Sequence, residues 1–170
     1  RMADAGIFTE DDRVELIDGE IIEMSPIGNR HMNCVNRATA FFVESFGRSA
    51  MVSVQNPLRL GKYTEPMPDI VVFKPRTDFY ASKDKTPEDV LFLVEISDTT
   101  LRYDRNVKVP RYAAAGIPEV WIEDLKGGVV LVYRDPAENT FKTTLIVPGG
   151  GNVSPLAFPN ITFKVDDLLG

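Results

Sequence analysis

The chain has one cysteine (Cys34), one histidine (His31) and one tryptophan (Trp121) among 170 residues. A lone cysteine excludes a disulfide scaffold and a cysteine-rich zinc module. A lone histidine excludes a multi-histidine zinc site built by this chain alone. No apolar run approaches the roughly 20 residues of a membrane-spanning helix, and no charged-then-apolar leader opens the sequence. Together these absences give the expectation of a cytoplasmic protein with no membrane partner. Arg1 precedes Met2, so the expectation is a chain that does not begin at its initiator. Internal repeats, low-complexity stretches and long linkers are missing as well. The Gly149-Gly150-Gly151 run has no following lysine and no strand-before, helix-after setting, so it is read as a loop rather than a phosphate cradle. No G-x-S-x-G nucleophile elbow occurs.

What remains is an ordinary globular composition, 44% hydrophobic and 26% charged, read as one domain over residues 1–170. The net charge of −6 argues against broad, non-specific attraction to nucleic acid. The charge is unevenly spread. Residues 1–24 hold eight acids (Asp4, Glu10, Asp11, Asp12, Glu15, Asp18, Glu20, Glu23) against Arg1 and Arg13. Basic clusters follow at Arg30, Arg37, Arg48, Arg59 and Lys62, and at Arg102, Arg105, Lys108 and Arg111. A locally basic cleft and a normal mixed surface are both compatible with this pattern.

Asp18-Gly19 between two apolar-rich runs predicts a hairpin, Val14 to Ile17 and Glu20 to Met24. Apolar residues at spacings of three and four predict a helix from Asn29 to Phe46 that ends at Gly47. Cys34 is read as a core residue of that helix. Strands are expected at Ala50 to Gln55, Asp69 to Phe73, Val90 to Ile96, Glu119 to Ile122 and Ile161 to Val165. A late hairpin is expected around Asp135-Pro136. The Val90–Ile96 run is apolar on both faces, as a central strand is. Thr100 to Ala115 reads as a helix that Pro110 kinks or splits, which would let the Glu95 and Trp121 strands lie parallel through a crossover. The fold class is α/β in the mixed α+β sense.

Glu95 follows five apolar residues, where an unpartnered carboxylate would be costly. Asp69 opens the preceding apolar strand, so antiparallel pairing of the two strands would bring both carboxylates together. Two converging carboxylates suit a hard cation such as Mg²⁺, or Mn²⁺ in its place. Alternatively Asp69 caps a turn after Pro68 and Glu95 pairs with an arginine. Asp104, Lys108 and Tyr112 are spaced to share a helix face, which would lean the Lys108 ammonium over the carboxylates, or leave an exposed Asp104–Lys108 pair. Tyr112 and Trp121 are read as packing residues. His31 stands in the first turn of its helix, where anions are attracted, and is a candidate for phosphate contact or proton transfer, or else a structural histidine.

The segments Glu15-Leu16-Ile17-Asp18-Gly19-Glu20, Met24-Ser25-Pro26, Pro68-Asp69, Val94-Glu95-Ile96-Ser97 and Gly116-Ile117-Pro118-Glu119-Val120-Trp121, with His31, Asp104, Lys108 and Tyr112, form an ordered set. That set resembles the Uma-two-type family of restriction endonuclease-like proteins, within the PD-(D/E)XK nuclease superfamily. The resemblance implies a restriction-endonuclease-like core, a mixed sheet flanked by helices, and a Mg²⁺-dependent site. Asp69 then corresponds to the first acid and Glu95 to the second. Ser97 stands where the superfamily's lysine would, and Lys108 on the following helix takes its place. The functional expectation is a DNA-cleaving phosphodiesterase, with Asp69 and Glu95 as metal ligands, Lys108 as the cation, and Ser97 and His31 as further participants. The alternative is a non-catalytic nuclease fold that binds nucleic acid or protein. A homodimer is expected because duplex cleavage needs a site for each strand.

Overall fold

A computed structural model describes residues 12–170. Arg1, Met2, Asp4, Glu10 and Asp11 of the acidic N-terminal stretch lie outside the described residues. The Asp18-Gly19 turn forms as its composition requires, with positive φ at both positions, 53° and 88°. It joins Val14–Ile17 (β1) to Glu20–Glu23 (β2) in an antiparallel ladder. Helix α1, Asn29–Phe46, follows and ends at Gly47, which has φ 52° and donates its N–H to the Val43 carbonyl. The apolar face of α1 is narrower than the sequence periodicity suggests. Cys34, Val35, Ala38, Phe42 and Phe46 are buried, whereas Met32 and Val43 are about half exposed.

The main sheet has six strands in the order β3-β4-β5-β6-β7-β8. They are Met51–Val54 (β3), Ile70–Phe73 (β4), Val90–Ser97 (β5), Glu119–Asp124 (β6), Val129–Ala137 (β7) and Thr140–Pro148 (β8). Only β5 and β6 pair in parallel, and the helical crossover between them makes that possible. One face of β4–β7 packs Ile70, Val72, Phe92, Val94, Trp121 and Val132 against α1. Phe42 touches the rings of Phe46, Phe92, Trp121 and Phe163 there. The other face packs Val71, Leu93, Val120, Ile122 and Leu131 against Val109, Tyr112 and Ala113 of the crossover. The β5 strand is thus covered on both sides, as its unbroken apolar run implies.

The crossover is a split helix rather than a kinked one. It consists of Leu101–Tyr103 (α2), a π-helical turn at Asp104–Lys108, and Val109–Ala114 (α3). The Val109 N–H donates to the Asp104 carbonyl five residues back, and Pro110, which has no N–H, enters the next helix at its first turn, where none is needed.

Two boundaries differ from the sequence reading. The late hairpin does not turn at Asp135-Pro136: β7 runs on to Ala137, and Ala137 pairs with Thr140 around Glu138 and Asn139. The β6 ladder ends at the Glu119–Arg134 pair, so Pro136, opposite Phe141 of β8, has no β6 residue paired with it on its other side. The expected Ile161–Val165 strand shrinks to Phe163–Lys164 (β10), paired with Asn152–Val153 (β9). Val165–Leu169 forms helix α4, whose Val165, Leu168 and Leu169 are buried and whose Asp166 and Asp167 suit a helix N-terminus. Among the described residues, no helix is long and apolar enough to cross a membrane.

Candidate active site

β4 and β5 are antiparallel neighbours with Ile70 opposite Val94, so Asp69, just before β4, lies at the Glu95 end of β5, where it accepts from the Ile96 N–H. Asp69 is fixed from three sides. Its Oδ2 accepts from the Ile96 backbone N–H at 2.8 Å and lies 3.0 Å from His31 Nε2, and its Oδ1 accepts from Gln55 at 3.2 Å. Asp69 therefore does more than cap a turn: it bridges β5 and α1.

Glu95 is 2% exposed, and its partner is not an arginine. The Tyr112 hydroxyl donates to its Oε1 at 2.5 Å, and the Lys108 ammonium lies 3.2 Å from the same oxygen. Tyr112 is a packing residue as expected, fully buried, but its hydroxyl also belongs to the site. Lys108 lies 2.7 Å from Glu15 Oε1 and 3.9 Å from Asp104 Oδ1. The Asp104–Lys108 pair is thus buried rather than exposed, with both residues at 5% exposure or less. Asp104 Oδ2 in turn accepts from the hydroxyls of Ser97 at 2.7 Å and Thr100 at 2.6 Å.

A cleft of about 790 Å³ opens over this cluster. Glu15, His31, Asp69, Glu95, Asp104 and Lys108 all line it, while Ile22, Met24, Pro26 and Ile27 form an apolar wall. Ser97 does not reach it. That residue is fully buried and acts on Asp104 from behind. Of the arginines that precede Lys108 on the crossover, Arg102 lines the cleft and Arg105 is exposed outside its lining. The cleft is not basic: six acids (Glu15, Glu23, Asp69, Glu95, Asp98, Asp104) stand against Arg13, Arg102, Lys108 and His31.

Burial, reinforced by Asp104 and Asp69, pushes the Glu95 carboxyl well above its usual range despite the attraction of Lys108. Burial alone would pull Lys108 down, but Glu95, Glu15 and Asp104 together push it up, so it stays an ammonium. The hydrogen bond to Asp69 raises the His31 imidazole above its ordinary value, against the effect of burial.

Sequence reading missed Glu15 as a site residue. Its signal was faint: an acid at a strand position that alternation turns inward, the same side of β1 as buried Ile17. Among the described residues, no group of three or more His, Cys, Asp and Glu is arranged to hold a metal by itself. Asp69 and Glu95 are the two carboxylates that could give oxygen donors to an ion that keeps several waters, as Mg²⁺ does. Both contacts to Glu95 fall on Oε1, which leaves Oε2 for a ligand.

The chain matches, over residues 1–166, the model of the Uma2 family, described as "Putative restriction endonuclease". Among solved structures it is similar to a putative nuclease belonging to DUF820 from Anabaena variabilis ATCC 29413. The TM-score is 0.72 at 17% sequence identity, covering 92% of this chain and 89% of that one. No curated protein matches. The structural likeness establishes a shared nuclease-like fold, a mixed sheet flanked by helices, and the family match spans nearly the whole sequence. The chain belongs to the Uma2 family of putative restriction endonucleases.

Proposed function

We propose that the protein is a divalent-metal-dependent phosphodiesterase that cleaves DNA, formed as one domain and working as a homodimer. The observation that carries this reading is the opening of Asp69 and Glu95 into one cleft at the joined ends of β4 and β5, with the buried Lys108 ammonium 3.2 Å from Glu95. Asp69 and Glu95 would hold Mg²⁺ or Mn²⁺. When bound, such an ion supplies Lewis acidity at a phosphoryl oxygen.

The chain's own groups perform the remaining work. Lys108 provides a fixed positive charge where a phosphodiester transition state gathers negative charge, and it sits in a water-poor setting where that charge counts most. The Tyr112 hydroxyl holds Oε1 of Glu95, so the carboxylate cannot swing away. Ile96 N–H, Gln55 and His31 do the same for Asp69. His31, with Nε2 on Asp69, orients that carboxylate. Ser97 and Thr100 orient Asp104, which adds to the negative field around Lys108. Arg13 and Arg102 on the cleft lining are the groups available to a flanking phosphate.

The excess of acid in the cleft supports a cation requirement, because a bare phosphodiester is repelled until that charge is offset. Titration of the wild type and Asp69→Ala with Mn²⁺, beside an assay of plasmid nicking with Mg²⁺, tests the reading. Metal binding and nicking by the wild type, both lost in Asp69→Ala, are expected. A wild type that binds no metal would leave only a non-catalytic nuclease fold.

A further inference from the structure

We propose that Glu15, on the N-terminal hairpin, is a positioning residue that, as the nearer carboxylate, shares the Lys108 ammonium with Glu95 and so leaves Glu95 available to the cation. This rests on the metal-dependent reading of the cluster and adds the hairpin to its machinery.

Three carboxylates surround one ammonium, and Glu15 is the nearest, at 2.7 Å against 3.2 Å for Glu95 and 3.9 Å for Asp104. Glu15 is held rigidly. Its side chain is 2% exposed, and its Oε1 also accepts the Met67 N–H at 2.8 Å. The strand beneath it is tied to the segment before β4: Glu65 N–H donates to the Leu16 carbonyl at 2.7 Å, and Gly19 N–H donates to the Tyr63 carbonyl at 2.7 Å. Arg111 of α3 reaches Asp18 at the hairpin turn, so the hairpin is clamped to the same helix that follows Lys108.

Glu95 has two claimants in this arrangement, a monovalent ammonium and a divalent ion. With Glu15 present the ammonium has its own carboxylate. Without it, Glu95 becomes the ammonium's nearest counter-charge, and the two cations compete for one group. The cost of an unpaired buried charge pushes Lys108 toward Glu95. Glu15 thus acts through Lys108, and its removal should be felt at the metal.

The test is Mn²⁺ binding, followed by electron paramagnetic resonance, for wild type, Glu15→Gln, Lys108→Met and the double variant. Nicking kinetics on the same four proteins accompany it. Glu15→Gln should weaken Mn²⁺ by about tenfold or more, the size typical of groups that orient a ligand. Lys108→Met should not weaken it, and adding Lys108→Met to Glu15→Gln should restore binding, since the competing ammonium is gone. In nicking at sub-saturating metal, Glu15→Gln should lower the rate and Glu15→Asp should recover part of it, whereas saturating metal should bring Glu15→Gln back toward the wild-type rate. Unchanged Mn²⁺ affinity in Glu15→Gln overturns the proposal, as does a double variant as weak as Glu15→Gln alone. If Glu15→Gln does not fold, the double variant, which removes both charges together, is compared with Lys108→Met: equal Mn²⁺ affinity supports the proposal and weaker binding in the double overturns it. A wild type that binds Mn²⁺ but cleaves no DNA refutes the phosphodiesterase reading and leaves the Mn²⁺ comparison to decide Glu15. A wild type that binds no Mn²⁺ overturns both.

Discussion

Lys108 concentrates the energetics of the site at a single residue. It is the one buried cation within 4 Å of Glu15, Glu95 and Asp104 among the described residues. Lys108→Met is therefore expected to lose on the order of 100-fold in turnover, the scale of removing one preorganised donor. It should also be destabilised by about 3–5 kcal/mol without metal, because the buried carboxylates lose their partner; denaturant unfolding checks the second part. Arg105→Ala, by contrast, should leave turnover near normal, because its side chain lies outside the cleft. His31 offers a second test, since the chain has only one imidazole to follow by NMR. Its folded pKa is raised by Asp69, so the His31–Asp69 pairing adds stability that is full below the unfolded value of about 6.5. That stability is lost as pH rises through the higher folded value. Thermal melts of wild type and His31→Asn should differ most on the acid side and converge as the pH becomes alkaline.

The π-helical turn is the element that decides which way Lys108 points. It carries one residue more than a regular helical path, and such turns recur at functional sites. Asn106 lies in this turn, exposed and on the cleft lining. Deleting it should convert the segment to regular helix and rotate one flank against the other by about 100°. Either Asp104 leaves Ser97 and Thr100, or Lys108 leaves Glu15 and Glu95. The deletion is expected to abolish nicking while circular dichroism still reports a folded protein, since Val109, Tyr112 and Ala113 keep α3 packed. The antiparallel β4–β5 pair is the second deciding element: it brings the start of β4, preceded by Asp69, to the end of β5 that carries Glu95.

The whole molecule carries a net charge of −6 and places more acid than base in its cleft. DNA binding should therefore be weak in chelator and strengthen tenfold or more when Ca²⁺ is added, a rise that fluorescence anisotropy with a labelled duplex would measure. The proposed dimer is checked by sedimentation, where a monomer at tens of micromolar would count against it. Much of this molecule was legible in its sequence, and for local reasons. Asp18-Gly19 specifies its turn, Gly47 stops its helix, and the both-faced apolar run before Glu95 marks a central strand, because backbone conformation and side-chain period are properties of neighbouring residues. Asp69, Glu95, Lys108 and His31, which line one cleft, stood out as candidates in one dimension: two carboxylates beside apolar runs, a lysine spaced to share a helix face with Asp104, and a lone imidazole. Glu15 and the hydroxyl of Tyr112 did not stand out. Glu15 lies 93 positions from Lys108 and Tyr112 lies 17 from Glu95, and only the docking of the hairpin and the crossover on the sheet closes those distances. The turn at Glu138-Asn139 and the helix at Val165 were likewise settled by where β6 ends and what α1 leaves to be covered, which are facts of packing that no short window of sequence contains.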